Sequence, residues 1–173
     1  MNERLNEIKL SGKNLLLANI KYKEQTGDKY KSFKIYGTHK SISLLNNEDI
    51  TQYFVDTTYK CLPNEIEEAK SLLVLIGYNS KKDLFERILV AILSDEDADI
   101  FYSFYNFIKG TYKWRPKYIT FDFGAANLKA IKEIFNDGDE VTIITCLFHL
   151  LQCWWRRAGQ LGLRQKNLLM TQK

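Results

Sequence analysis

The chain has only three cysteines and two histidines among its 173 residues. An odd number of cysteines without framework spacing excludes a disulfide scaffold and points to a reducing intracellular compartment. No apolar run is long enough to span a bilayer, because the most apolar stretch, Val141 to Trp155, is broken by Thr142, Thr145, His149 and Gln152. The N-terminus, Met1 to Glu7, is charged and lacks the apolar core of a secretory signal. Neither export nor membrane insertion is expected. Acidic residues are missing after Glu140, an absence that bears on the chemistry below.

What is present is enough for a core. Apolar residues make up 45% of the chain and aromatics 13%, so one ordinary domain is expected. The net charge of +4 is unevenly spread. Residues 1 to 50 carry nine Lys/Arg against six Asp/Glu, residues 51 to 149 eleven against fifteen, and residues 150 to 173 five against none. A basic tail after an acidic body suits a polyanion contact through counterion release, and equally a solvated helix face.

Residues 15 to 22 and 30 to 36 read as strands separated by a polar turn at Thr26-Gly27-Asp28, a hairpin pattern. Gly37 ends it, and Ser43 to Ile50 is a polar connector into a strand at Tyr53 to Tyr59. Pro63 and Glu65 to Lys70 form a charged loop, since proline cannot donate to a ladder. Ser71 to Gly77 and Phe85 to Leu93 are nearly continuous apolar runs joined by a turn at Asn79 to Lys82, the pattern of central strands covered on both faces. After Asp95 to Asp99, apolar residues at 100, 101, 104, 107 and 108 predict an amphipathic helix stopped by Gly110. A strand at 118 to 123, a helix from about Ala125 to Phe135, a strand from Val141 to Cys146 and a helix from His149 to about Leu161 follow.

Two strand-end aspartates stand out: Asp56, and Asp122 in Tyr118-Ile119-Thr120-Phe121-Asp122-Phe123. Carboxylates on separate strands can share a hard cation such as Mg²⁺, which keeps its other positions for water and phosphate. Either aspartate could equally cap a strand or the helix that follows. The element order, a hairpin and then β-β-β-α-β-α-β-α, is the connectivity of a ribonuclease H-like α/β domain with a mixed five-stranded sheet. Right-handed crossovers put its first strand beside its fourth, so Asp56 and Asp122 are expected across adjacent parallel strands, with Cys146 on the same carboxyl edge.

These residues resemble the catalytic domain of Mutator-like element (MULE) transposases. Asp56-Thr57-Thr58-Tyr59-Lys60 with Pro63 is similar to the family's Asp-Gly-Thr-Phe-Lys segment, with Thr57 where glycine is usual. Ile119 to Phe123, followed by Ala125, Ala126, Ala130, Ile131 and Phe135, resembles the second-aspartate strand and its alanine-rich helix. Cys146-Leu147-Phe148-His149-Leu150 with Gln152, Trp155, Arg156 and Leu161-Gly162-Leu163 resembles the Cys-x-x-His segment and its helix. Tyr36-Gly37-Thr38 matches the end of a preceding strand pair, so the likeness runs from about Asn14 to Lys166.

The resemblance implies residues 1–50 as hairpin and connector and residues 51–173 as a partial, C-terminally truncated transposase domain. It implies Asp56 and Asp122 as catalytic metal ligands, Mg²⁺ or Mn²⁺ as cofactor, DNA with terminal inverted repeats as partner, transposition as activity and a nuclear setting. It leaves self-association open. The family's third carboxylate, a glutamate, lies well beyond the Cys-x-x-His segment, whereas here the chain stops 24 residues past His149. Asp137, Asp139 and Glu140 follow a helix that puts them some 16 Å from the Asp122 edge. The expectation is a fragment inactive alone. The alternatives are a domesticated DNA-binding or protein-binding module and a ribonuclease H-like nuclease using the two aspartates. Cys146, His149 and Cys153 fall short of the four ligands of a structural zinc, so none is expected. Cys146, His149, Trp154, Arg156 and Arg157 are candidates for a DNA-contacting or structural role, Cys146 and His149 equally as a buried thiol and a histidine hydrogen-bonded at the start of a helix, while Trp155, on a stripe with Phe148 and Leu151, is expected in the core.

Overall fold

The structure, a computed structural model, describes residues 9–10, 13–23, 29–58, 62, 69–122, 124–135 and 139–163, with side chains from residue 15 onward. Among the residues discussed above, Thr26 to Asp28, Tyr59, Lys60, Pro63, Glu65 to Glu68, Phe123, Asp137 and Lys166 lie outside the described ones. The described residues form an α/β fold with four α-helices. Its strands are Lys9–Leu10 (β1), Lys13–Asn14 (β2), Leu16–Lys23 (β3), Tyr30–Tyr36 (β4), Ile50–Thr58 (β5), Ser71–Asn79 (β6), Leu84–Leu93 (β7), Tyr118–Phe121 (β8) and Thr142–Thr145 (β9). Its helices are His39–Ile42 (α1), Ala98–Tyr112 (α2), Ala125–Ile134 (α3) and Leu147–Gln160 (α4).

β1 and β2 make a small separate ladder, and the other strands form one mixed sheet in the order β3-β4-β7-β6-β5-β8-β9. The expectation of five strands is corrected to seven. β4 pairs antiparallel with β7, Phe33 opposite Leu93 and Tyr36 opposite Val90, which extends the sheet by the whole hairpin. Phe33 and Ile35 are then buried in the same core as Leu73 and Ile119. The buried Lys31 ammonium fixes the junction: it bonds the carboxylate of Asp97 and reaches that of Asp99 at 3.4 Å, both at the start of α2. A cation out of water needs such partners.

β6 corrects a second expectation. Burial along it alternates, with Leu73 and Leu75 inside and Leu72, Val74, Ile76 and Tyr78 only half-buried. One face of the sheet is packed under α2 and α3 while α4 buries none of its residues. The near-continuous apolar run is thus half-exposed on its other face. α2 also continues past Gly110 to Tyr112, and Lys113 takes the left-handed cap with φ 57°. Glycine costs a helix only about 1 kcal/mol relative to alanine, and buried Ile108 together with half-buried Tyr112 outweighs it. The expected connector at residues 43 to 50 begins as a 3-10 helix, Ser43–Asn46, which follows the capping box of Thr38 and Ser41 on α1.

Trp114, fully buried between α2 and β8, meets the rings of Tyr53 (5.3 Å), Phe135 (5.5 Å) and Tyr105 (6.4 Å). One side chain thus ties β5, α2 and the end of α3. Trp114→Ala should lower unfolding stability by about 3–5 kcal/mol, read from urea denaturation followed by circular dichroism. Tyr53, within that cluster, donates its hydroxyl to the Leu45 carbonyl at 2.9 Å. Burial pushes its pKa up to about 12, with the nearby Trp114 indole pulling slightly the other way without forming a well-made hydrogen bond. A folded-state pKa above the unfolded value of about 10 means stability present below pH 10 and lost as the pH rises through about 12. Alkaline denaturation curves of the protein and its Tyr53→Phe variant should converge across that window.

Candidate functional site

The parallel pairing of β5 with β8 ends at Val55 and Phe121, although β5 itself continues to Thr58 against β6, so Asp56 lies within its strand rather than closing it. The parallel register sets Tyr53 beside Ile119 and Val55 beside Phe121, and the next residue on each strand is an aspartate. Val55 and Phe121 are buried in the core, whereas Asp56 is exposed and Asp122 half-buried. Carboxylates that stay in contact with solvent keep their hydration, so two of them can be neighbours on adjacent strands. The adjacency expected for their strands is present.

Asp122 also has a structural task. Its Oδ1 accepts the backbone N–H of Gly124 at 3.1 Å, turning the chain into α3, while a carboxylate has further lone pairs to offer. Gly124 suits this turn: a Cβ there would lie 3.0 Å from Asp122 Oδ1. Beneath the turn, Tyr105 of α2 donates to Asn127 Oδ1 of α3 at 2.6 Å. Burial raises the Tyr105 pKa, the bond to Asn127 opposes this, and the Asp122 carboxylate raises it further. Tyr105 and Asn127 were not singled out from sequence. The available signal was an asparagine three residues after Gly124, inside the apolar stripe of a helix.

From the other side comes α4. Cys146 carries the β8–β9 ladder one bond further, its N–H donating to the Phe121 carbonyl at 2.9 Å, and it occupies the first cap position of α4. One turn on, His149 places Nε2 3.8 Å from Asp56 Oδ1 while its Nδ1 is buried without a hydrogen-bond partner. Asp56, Asp122, Cys146 and His149 therefore belong to one edge. Cys153 is exposed on α4, and among the described residues no three His, Cys, Asp or Glu side chains gather into a metal-holding group. Asp139 is at the other end of α3, bound by Lys109 at 2.6 Å.

The placement of the tryptophans corrects an expectation. Trp154 and Trp155 are 62% and 63% exposed, and Phe148 and Leu151 are exposed as well. The apolar stripe of α4 marks an amphipathic helix, yet no described element covers it. Arg156 and Arg157 are also exposed, and Arg157 donates to Gln160 at 3.2 Å. No helix of the described residues is long and apolar enough to cross a membrane. No protein-family model matches the chain, and no curated protein matches it.

Replacing Tyr105 with Phe should cost about 1–3 kcal/mol, because Asn127 would lose its buried hydroxyl donor; its Nδ2 already has no partner. Urea midpoints of the two proteins measure the difference.

Proposed function

We propose that this chain is a ribonuclease H-like domain of the MULE transposase kind, which holds one divalent cation at the Asp56 and Asp122 edge and contacts DNA there. The observation that carries the reading is the parallel register of β5 and β8, with an aspartate one residue beyond the Val55 and Phe121 pair. The sheet order supports it. β7-β6-β5-β8-β9 is the third, second, first, fourth and fifth strand of the β-β-β-α-β-α-β-α series, the order that ribonuclease H-like connectivity requires.

The donor set suits Mg²⁺ or Mn²⁺ as a singly held ion. Magnesium is commonly bound through one or two carboxylates and retains several waters. Asp56 and Asp122 would hold it, and the ion would supply charge stabilisation to a phosphodiester oxygen. The protein's own contribution is orientation: the Gly124 N–H fixes one oxygen of Asp122, and His149 sets a nitrogen beside Asp56.

Cleavage by these residues alone is not part of the proposal. In-line displacement with two metals requires both attacking and leaving oxygens to meet fixed positive charge, and positioning of that kind is worth roughly 7–11 kcal/mol. No Asp or Glu follows Glu140 in the sequence, and Asp139 is engaged by Lys109. Mn²⁺ titration followed by electron paramagnetic resonance should show a single site, weakened at least tenfold in Asp56→Asn and in Asp122→Asn. Nicking of inverted-repeat DNA with Mg²⁺ or Mn²⁺ should stay at background. Absence of any Mn²⁺ site would sink the metal reading, and strong nicking that disappears in Asp56→Ala would show that these residues cleave DNA by themselves.

The exposed apolar and cationic surface of α4 favours a second reading, a binding module without catalysis. Duplex binding that needs no metal, is unchanged in Asp56→Asn and drops in Arg156→Ala/Arg157→Ala would select it.

A further inference from the structure

At the opposite end of β5 and β8 the structure has a cleft of about 540 Å³. One wall is the segment joining α2 to β8, where burial alternates: Trp114 and Pro116 point inward, and Lys113, Arg115 and Lys117 are exposed. All three cations line the cleft. The facing wall is the turn after the 3-10 helix, with Asn47 and Glu48, and Tyr53 forms part of the floor.

We infer that this cleft binds a phosphate-bearing ligand through Lys113, Arg115 and Lys117. Among the described residues, Lys31, Lys70, Lys82 and Lys109 each have a carboxylate partner, whereas Lys113, Arg115 and Lys117 form no ion pair. Three cations face one carboxylate, Glu48, across a concavity whose volume falls in the range that holds small ligands. Low-dielectric walls concentrate such a field and draw in anions.

The cleft is also rigidly framed. Trp114 is locked among three rings, so the cations on either side of it have a fixed base. The facing wall is tied to the same element, since Asn46 Nδ2 donates to the Tyr112 carbonyl at 2.7 Å. Arg115 spends one N–H on the Trp114 carbonyl at 3.0 Å and keeps the rest of its fork for a ligand. Donors preset in this way lose less freedom on binding. Phosphate is the matching anion, because several cations can share its oxygens and an arginine fork pairs with two of them.

Free nucleotides and a nucleic-acid backbone offer the same chemistry. The cleft and the Asp122 edge are separated by about 16 Å, five residues at ~3.3 Å each, so only an extended polyanion could reach both. The inference does not depend on the transposase reading, because none of its residues lies at that edge.

The experiment uses the full chain with three probes: inorganic tripolyphosphate and ATP by calorimetry, and a fluorescently labelled duplex DNA by anisotropy. Lys113→Ala/Arg115→Ala/Lys117→Ala should weaken binding at least tenfold with an unchanged urea midpoint, as all three side chains are exposed. Glu48→Gln should tighten binding severalfold, which provides a test even if the triple variant folds poorly. If duplex DNA is the ligand, the slope of log affinity against log salt should fall by about 2 to 3 in the triple variant. Loss of tripolyphosphate and ATP binding assigns a free phosphate ligand. Loss of duplex binding alone assigns a nucleic-acid backbone. No binding of any probe, or equal binding by wild type and both variants, overturns the inference.

Discussion

Everything chemical in this fold hangs on the parallel pairing of β5 with β8. Parallel strands cannot be joined by a tight turn, and here the crossover takes in β6, β7 and the whole of α2 before the chain returns. Once made, the pairing sets Val55 beside Phe121. Asp56 and Asp122 come to one edge, and the amino ends of the same strands come to the other, beside the cationic cleft. Trp114 fixes the return point by packing on Tyr53 of β5, Tyr105 of α2 and Phe135 after α3. The site and the cleft are two ends of one structural decision.

The packing is lopsided, and that shapes what the surface offers. α2 and α3 cover one side of the sheet with a continuous core, including Phe101, Phe104, Ile108, Ala130 and Ile131. On the other side Leu72, Val74 and Ile76 remain half-exposed. α4 carries Leu147, Phe148, Leu151 and Trp154 at 50% exposure or more. Helices in proteins draw most of their stability from a buried face, so α4 is the element whose order depends most on something laid over it. Contiguous exposed apolar surface of this kind marks interaction sites in folded proteins.

The N-terminal hairpin is an integral part of the sheet through a different interaction. Lys31 is buried in β4 and bonds to Asp97 and Asp99 at the start of α2. Asp97 simultaneously accepts the Ile100 N–H at 3.1 Å as the helix cap. One carboxylate therefore starts the helix and holds the outer strands against it. The ammonium is the buried member of this pair and the carboxylates face solvent, so it is Lys31 whose charge depends on having partners there.

Local pattern was enough for the elements that local physics controls. β-branched runs and alternation located β3, β4, β5, β8 and β9, the turn at Asn79 to Lys82 separated β6 from β7, and the carboxylates before Ile100 marked the start of α2. The two aspartates were legible as polar residues following β-branched or aromatic strand residues, although Asp56 lies inside β5, which runs on to Thr58. Sequence alone could not show that the hairpin joins the sheet, because the Lys31 to Asp97 bond links residues 66 apart. Nor could it show that Trp155 stays exposed, since an apolar stripe names a face without naming what covers it. The convergence of Lys113, Arg115 and Lys117 opposite Glu48, and the approach of His149 to Asp56, were decided by tertiary structure. Both depend on which strand lies beside which, and that order follows from long-range pairing and burial that no short window of residues contains.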